Sequence, residues 1–180
     1  MLDWDESALR WINAHHYPLL DAVLIPVSYL GEAGAIWFAV CLALLVFGRR
    51  EQKLTGLTLL LAMVLLDRLV AGPLGQVFHR ERPYLALSGI RQVGIRWGGG
   101  SFPSGHAHSV WLATIILSHR WRRLTLPLTA FALLTCYSRP YLGMHYPLDV
   151  MVGAALGIAA GLGVVGLERI WRRRAEVQPQ

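Results

Sequence analysis

Five stretches of the chain that contain no Asp, Glu, Lys or Arg are candidates to cross a bilayer. They cover residues 33–48, 54–66, 97–118, 124–138 and 150–167. Because a bilayer-spanning helix needs about 20 predominantly apolar residues, and at least about 17, several of these stretches are short. We therefore expect the second span to continue through Asp67 and Arg68 to about Gly72, and the fourth to include interfacial residues.

Two further segments have helical character. Residues 19–30 are mostly apolar but contain Asp21 and Pro26, and they cover about half a bilayer, which predicts a re-entrant helix or a kinked short span. Near the N-terminus, Trp4, Ala8 and Trp11 recur at helical spacing, which is typical of a helix lying in the membrane interface.

The predicted fold is therefore an all-α integral membrane bundle of five full spans plus a short re-entrant or sixth span, with an N-terminal interfacial helix. A chain of 180 residues has length for one domain. We expect this domain to consist of the interfacial helix (1–16), the bundle (17–172) and a tail (173–180).

The last apolar stretch carries glycine at every fourth position, namely Gly153, Gly157 and Gly161. Small residues at this spacing let a neighbouring helix approach closely in lipid, although glycine is also common in membrane helices generally. We expect these three glycines to form a tight contact between helices.

Composition agrees with a membrane protein. Charged residues make up 16% of the chain and apolar residues 54%, whereas a soluble domain carries roughly a quarter charged residues. The net charge of +6 would suggest nucleic acid in a soluble chain, but a membrane explains it better, and we expect no nucleic-acid partner. Both cysteines lie in apolar runs, which excludes a disulfide framework and a zinc finger.

Basic residues collect where the first, third and fifth spans end. Short cytoplasmic loops are enriched in Lys and Arg, so this side, together with the C-terminus, is predicted to be cytoplasmic. The residues are Arg49, Arg50, Lys53, Arg120, Arg122, Arg123, Arg169, Arg172, Arg173 and Arg174.

The opposite side carries three short segments, each at the end of a span, in which the chemically active residue types are concentrated. In the second segment, Ser104 suits an N-cap and Gly105 lets the backbone come close to a ligand, while the free N–H groups and the helix dipole favour an anion. An ordinary capped helix with an interfacial His106 would have the same pattern. The segments are residues 79–83, 103–106 and 138–149.

The third segment pairs a histidine with an aspartate. Pro147 suits the first turn of the fifth span, so that His145 lies just outside the helix and Asp149 lies in its opening turn. Asp149 can accept a hydrogen bond from one ring nitrogen of His145, which fixes the tautomer and leaves the other nitrogen free as nucleophile or base.

Arg82 and Arg139 are planar donors that can bind phosphoryl oxygens two at a time. Two arginines and a helix N-terminus can hold phosphate without a metal. The competing interpretation is a metal site, since His106, His145 and Asp149 form a two-histidine, one-carboxylate set. The flanking arginines would repel a cation, so we expect no metal and no other cofactor.

These segments resemble the type-2 phosphatidic acid phosphatase family, the lipid phosphate phosphatases, which share their site with vanadium haloperoxidases and glucose-6-phosphatase. The family pattern is Lys, six residues, Arg-Pro; then Pro-Ser-Gly-His; then Ser-Arg, five residues, His, three residues, Asp. The second and third blocks match in full at residues 103–106 and 138–149. The first matches at residues 82–83 but has Gly75 in place of its lysine. The resemblance covers roughly residues 33–167.

The resemblance implies a metal-independent phosphatase in a bundle of about six helices. His145 would be the nucleophile that forms a phosphohistidine, Asp149 its orienting partner, and His106 the general acid that protonates the leaving group. The groups that would hold the phosphoryl oxygens are Arg82, Arg139, Ser104 and the Gly105 amide.

The missing lysine leaves one phosphate contact to be replaced. Arg68, two helical turns before Gly75 on the same face, and Arg80, close in sequence to Arg82, are the two candidates. Arg68 could instead pair with Asp67 or extend to the membrane surface.

Similarity to small bacterial members of the family implies that the substrate is undecaprenyl diphosphate, which would be hydrolysed to undecaprenyl phosphate for recycling in cell-wall synthesis. Phosphatidylglycerol phosphate and phosphatidic acid are alternatives, as are lipid A and transfer of phosphate between lipids. A catalytically inactive scaffold or transporter is an alternative of another class. The site is expected on the extracytoplasmic face of the bacterial cytoplasmic membrane.

Overall fold

A computed structural model describes residues 3–96 and 98–177, and all the regular structure in these residues is helical. A π-helical segment, Asp67–Ala71, joins the fourth helix to the fifth, and 3₁₀ turns precede the third and the eighth. In chain order the helices are α1 (Asp3–Ala14), α2 (Pro18–Leu30), α3 (Ala35–Phe47), α4 (Arg50–Leu66), α5 (Gly72–Phe78), α6 (Pro83–Ala86), α7 (Gly105–Arg120), α8 (Thr125–Tyr141) and α9 (Pro147–Val177).

The five predicted apolar stretches correspond to α3, α4, α7, α8 and α9. The second continues through Asp67 and Arg68 as predicted, and its helical structure extends further, to Phe78. The third starts later than predicted, because α7 begins only at Gly105. Three consecutive glycines and a proline precede it, and both residue types disfavour helix. Trp97, where this stretch was predicted to begin, lies outside the described residues.

Among the described residues, two helical stretches are long and apolar enough to cross a membrane, Arg50–Ala86 and Pro147–Trp171. Helices α2 and α3 are bent by 54° relative to each other and would add a third span if they cross together. With 16 and 17 residues, α7 and α8 are shorter than a typical span of about 20 residues.

Helix α7 is the centre of the bundle. Its buried residues Leu112 and Ile116 belong to a core that also contains Trp37 of α3, Leu59 of α4 and Ala132 of α8. Because α7 is covered on several sides, few of its side chains from Ala107 to Leu117 reach the surface. The core therefore fixes the position of the α7 N-terminus, which carries the second of the three chemically active segments.

The three glycines of α9 pack against α7, which confirms the prediction from their spacing. A Cβ atom built at Gly157 would lie 2.2 Å from the carbonyl oxygen of His108, and one at Gly153 would lie 2.6 Å from that of Ser104. A Cβ atom at Gly161 would lie 2.7 Å from the Cβ of Ile115. The backbones therefore touch, and the N-terminal turns of α7 and α9 are held side by side.

The two ends of the bundle differ in composition. At one end, Arg120 of α7 lies 2.6 Å from Glu168 of α9 and 4.0 Å from Glu51 of α4. The basic residues near positions 50 and 120 are therefore at the same end, as their grouping predicted. The three chemically active segments lie at the other end, where α7 and α9 begin and α8 finishes.

Helix α1 faces the bundle with two polar side chains and Leu9, and it exposes its tryptophans. Asp5 and Asn13 are buried, whereas Trp4 and Trp11 are 49% and 63% exposed. The Asn13 amide donates to the carbonyl oxygens of Arg91 and Tyr141 over 2.8 and 2.9 Å. Specific hydrogen bonds therefore fix α1 against the end of α8.

Candidate active site

A pocket of about 420 Å³ lies where the three chemically active segments meet. It receives side chains or backbone from each segment, and also from the turn before α3 and from the π-helical segment. Ser104 and Asp149 are fully buried and do not line it. The predicted site residues that line the pocket are Arg68, Arg82, Gly105, His106, Arg139 and His145.

The two ring nitrogens of His145 have different partners, and these partners define its tautomer. Nδ1 lies 2.7 Å from the carbonyl oxygen of Ser101, which can only accept a hydrogen bond. Nε2 lies 3.2 Å from Nη1 of Arg82, which can only donate. Nδ1 therefore carries the proton, and Nε2 presents its lone pair on the side of the ring that faces Arg82.

Asp149 contacts this histidine less directly than predicted. Its Oδ2 is 3.8 Å from Nδ1 of His145, too far for a hydrogen bond. The same oxygen accepts hydrogen bonds from the Ser101 hydroxyl and from the backbone N–H of Tyr146, the latter at 3.0 Å. Asp149 therefore holds Ser101, whose carbonyl oxygen binds Nδ1, and Tyr146, the residue after His145. Its charge remains close enough to stabilise a cationic imidazole.

His106 reaches the pocket from the first turn of α7. Its Nε2 is buried and has no hydrogen-bond partner among the described residues. Glu32, in the turn before α3, approaches this nitrogen to 3.9 Å. On the other side of the ring, a Cβ built at Gly31 would lie 2.8 Å from Cδ2 of His106, so a larger residue at position 31 would displace the imidazole.

Arg82 and Arg139 bring positive charge to the pocket from the first and the third of the chemically active segments. Arg139 is only 1% exposed, and its guanidinium donates to the hydroxyl of Ser28. The Nε atoms of both arginines are buried without a partner in the described part of the chain. Since such groups are costly to bury unsatisfied, this arrangement is suited to an anionic ligand with several oxygen atoms.

The N-terminus of α7 has the geometry of an anion site. Ser104 occupies the N-cap, and its hydroxyl has no hydrogen-bond partner among the residues described. Its backbone N–H donates to the carbonyl oxygen of Asp149 over 3.0 Å, which joins the second and third segments directly. Gly105 follows and is exposed to the pocket, so its N–H can approach a ligand.

This geometry gives less support to a metal site than to an anion site. No group of three or more His, Cys, Asp or Glu side chains in the described ranges is arranged to hold a metal ion. His106 and His145 both face the pocket, but two guanidiniums share it with them.

A model of the PAP2 superfamily matches residues 56–173, which is well over half of the chain. The chain belongs to the PAP2 superfamily. An undecaprenyl-diphosphatase from Sulfolobus acidocaldarius is 31% identical over 160 residues, covering 87% of this chain and 74% of that protein. The enzyme is therefore a membrane lipid phosphatase of the PAP2 type, which sets aside the inactive scaffold.

Solved structures of PAP2 proteins have the same fold. The crystal structure of LpxE from Aquifex aeolicus has a TM-score of 0.78 and 32% identity, covering 92% of this chain and 96% of that one. The crystal structure of the first transmembrane PAP2-type phosphatidylglycerolphosphate phosphatase from Bacillus subtilis has a TM-score of 0.74 and 26% identity, with coverages of 92% and 85%. The all-helical architecture is therefore that of the PAP2 membrane phosphatases.

Gly75, where the PAP2 pattern has lysine, faces backbone and not the pocket. A Cβ built there would lie 2.9 Å from the carbonyl oxygen of Phe102. A lysine at this position would push α5 away from the loop that leads into α7. Of the two predicted replacements, Arg68 lines the pocket, whereas Arg80 directs its guanidinium to Asp149 and to Asp5 of α1. The geometry therefore favours Arg68 as the additional phosphate ligand.

Sequence analysis missed three residues that shape this site. Ser101 binds His145 and Asp149, Glu32 approaches His106, and Asp5 binds Arg80. None belongs to a PAP2 motif block. The available signals were weak: Ser101 lies two residues before the second block, Glu32 directly precedes the first apolar stretch, and Asp5 is one of several charged residues in the predicted interfacial helix.

The environment of His145 predicts that its ring is neutral at physiological pH. Burial lowers the pKa of His145 to about 4, and the charges of Arg139 and Arg82 act in the same direction, while Asp149 opposes them. The imidazole should therefore take up a proton, and lose its nucleophilic lone pair, only as the pH falls through about 4. An NMR titration of histidine-labelled enzyme, with the resonance assigned by His145→Gln, measures this value. A midpoint at or above 6.5, the ordinary value for histidine, would contradict it.

Proposed function

We propose that the protein hydrolyses undecaprenyl diphosphate to undecaprenyl phosphate and inorganic phosphate through a phosphohistidine at His145. The observation that carries the proposal is the unprotonated Nε2 of His145, whose lone pair faces Arg82 at a pocket that contains two guanidiniums and a second histidine. Three apolar side chains also line the pocket, as a lipid substrate requires. These are Phe38, Met63 and Val64.

In the first step, Nε2 of His145 attacks the terminal phosphorus and the bond to the bridging oxygen breaks. Protonated His106 donates its proton to that oxygen, so the lipid leaves as a monophosphate. Arg82, Arg139 and the Gly105 N–H bind the three equatorial oxygens, where charge accumulates in the transition state. The Nη1 of Arg82 that contacts Nε2 must first turn to a phosphate oxygen, which releases the nucleophile.

In the second step, neutral His106 accepts a proton from water, and the oxygen of that water attacks the phosphohistidine. The P–N bond breaks, phosphate leaves, and both histidines return to their starting protonation states. The Ser101 carbonyl holds the Nδ1 proton throughout, and the charge of Asp149 stabilises the cationic phosphohistidine. No metal ion or other cofactor takes part in either step of this proposal.

The proposed membrane arrangement is the one predicted from the amino-acid sequence. Helices α3, α4, α7, α8 and α9 each cross the bilayer, α2 enters it partway, and α1 lies in the interface with Trp4 and Trp11 toward lipid. The basic end is cytoplasmic, together with the C-terminus, and the pocket opens on the extracytoplasmic face of the bacterial cytoplasmic membrane. The exposure of both tryptophans and the grouping of basic residues at the end opposite the pocket support this orientation.

The experiment that tests the substrate is a comparison of phosphate release from undecaprenyl diphosphate, phosphatidylglycerol phosphate and phosphatidic acid, by purified enzyme in lipid vesicles with EDTA. We expect the highest kcat/KM on undecaprenyl diphosphate. Phosphatidylglycerol phosphate is the second candidate, because the enzyme shares its fold with a phosphatase of that lipid over 92% of its length. A higher kcat/KM on either glycerolipid would overturn the assignment of the substrate.

If Arg68 replaces the missing lysine, Arg68→Ala should lower kcat/KM by about tenfold, because one charge-assisted hydrogen bond to phosphate contributes about 1.5 to 3 kcal/mol. Arg96→Ala is the matched control, since Arg96 is exposed outside the pocket and bonds to Gln92. Phosphate release by the two variants measures the difference. Equal values would exclude Arg68 from the phosphate site.

A further inference from the structure

Three charged side chains are largely or fully buried behind the catalytic pocket, and of these only Asp149 has a role in the proposed mechanism. The guanidinium of Arg80 bridges two carboxylates, with Nη1 2.6 Å from Asp149 and Nη2 2.5 Å from Asp5. Both carboxylates are fully buried, and the Arg80 side chain is 16% exposed. One of these carboxylates belongs to α9 and the other to α1, so an ion-pair network connects the N-terminal helix to the catalytic segment.

Asp5 makes a second contact with the same segment. Its Oδ1 accepts a hydrogen bond of 2.8 Å from the backbone N–H of Leu148, the residue before Asp149. The Arg80 guanidinium also stacks on the ring of Tyr146, 3.8 Å from its centroid. Asp5 and Arg80 together therefore enclose the first turn of α9 on the side away from the pocket.

The network continues to the nucleophile through Ser101. The backbone carbonyl of Arg80 accepts a hydrogen bond of 2.6 Å from the N–H of Ser101, while its guanidinium holds Asp149. Asp149 in turn accepts from the Ser101 hydroxyl, and the Ser101 carbonyl binds Nδ1 of His145. A shift of Arg80 would therefore move both groups that orient the imidazole.

We propose that Asp5 and Arg80 are positioning residues for catalysis, and that α1 is required for turnover because it supplies the carboxylate that holds Arg80 in place. A buried ion pair adds little net stability compared with apolar side chains of the same volume, so stability alone does not account for three buried charges here. The inference rests on the proposed role of His145 as the nucleophile.

The test uses full-length enzyme in vesicles and the variants Asp5→Asn and Arg80→Gln. Loss of residues that orient a catalytic group typically lowers activity about 10- to 100-fold. We expect Asp5→Asn to lower kcat by about tenfold and Arg80→Gln by up to about 100-fold, with KM within about twofold, because neither side chain touches the substrate. The double variant should lose little more than Arg80→Gln alone, because both residues act through one route.

Glu6→Gln is the matched control, since Glu6 is the next residue of α1 and pairs with Arg10 at the surface. It should retain full kcat. Arg80→Lys keeps the charge but lacks the planar guanidinium that reaches Asp5 and Asp149 with separate nitrogens, so it should also lower kcat, by about tenfold. If Asp5→Asn does not fold, Arg80→Lys still tests the proposal.

The proposal would be overturned if Asp5→Asn or Arg80→Lys had a lower melting temperature but the same kcat as Glu6→Gln. In that case α1 would only stabilise the fold. A fully active His145→Ala would instead contradict the proposed nucleophile. The two failures are therefore distinguishable in the same assay.

Discussion

His145→Ala is expected to lower kcat for phosphate release by at least about four orders of magnitude, as loss of a nucleophile does in other covalent catalysts. Partners on both ring nitrogens of His145 fix its tautomer, so that Nε2 is unprotonated and its lone pair can attack once Arg82 turns away. Its removal leaves the positive pocket and His106 in place. Substrate binding should therefore persist while the chemical step is lost, and phosphate release in EDTA measures that step.

His15→Ala is the matched control for this experiment. His15 is exposed at the end of α1 and contacts the Trp11 carbonyl oxygen, outside the pocket. It should retain normal activity. If His145→Ala kept kcat within tenfold of the unmodified enzyme, covalent catalysis at this residue would be wrong.

Gly157→Val should destabilise the folded protein by about 3 kcal/mol or more, because overpacking against a rigid neighbour has a cost of this order. The Cβ of any side chain at this position would lie 2.2 Å from the His108 carbonyl oxygen and 3.0 Å from its Cα. These are backbone atoms of the central helix, so a change of rotamer cannot relieve the clash. Separation of α9 from α7 would also separate Ser104 from Asp149, and activity should be lost with the fold.

Gly163→Ala is the matched substitution on the same helix. A Cβ there has no neighbour within 4 Å in the described structure, and alanine favours helix over glycine by up to about 1 kcal/mol. Melting temperatures of the two variants in detergent compare the sites. If Gly157→Val melted at the same temperature as Gly163→Ala, the close contact between α7 and α9 would be incorrect.

The sequence predicts most of the helices because apolar stretches and helix boundaries are local properties. Pro147 begins α9 as expected, and the glycine spacing of that helix identifies its contact with α7. The start of α7 was wrong by several residues, because charge-free composition does not distinguish a helix from a glycine-rich loop. The burial of Asp5 in α1 was also not predicted, since it depends on Arg80, 75 positions away along the chain.

The residues that the three segments contribute to the pocket, such as His106, Arg139 and His145, could be predicted because the PAP2 motif blocks place them at fixed spacings. Their partners could not be predicted in the same way. Asp149 lies at the predicted position, yet its carboxylate accepts hydrogen bonds from Ser101, Tyr146 and Arg80 and not from His145. Pairings of this kind depend on how distant loops pack, and no local pattern encodes them.

The central claim is that the phosphoryl group is transferred to His145, and the most direct measurement is to trap that intermediate. Enzyme mixed with undecaprenyl diphosphate carrying a labelled terminal phosphate, and stopped under alkaline conditions within one turnover, should carry acid-labile label on the peptide that contains residues 141–149. The label should be absent from His145→Ala. In His106→Ala, which lacks the proposed general acid, the label should accumulate when the substrate has a more activated leaving group, which can depart without a proton. Turnover without label on this peptide, or label on a different residue, would contradict the account.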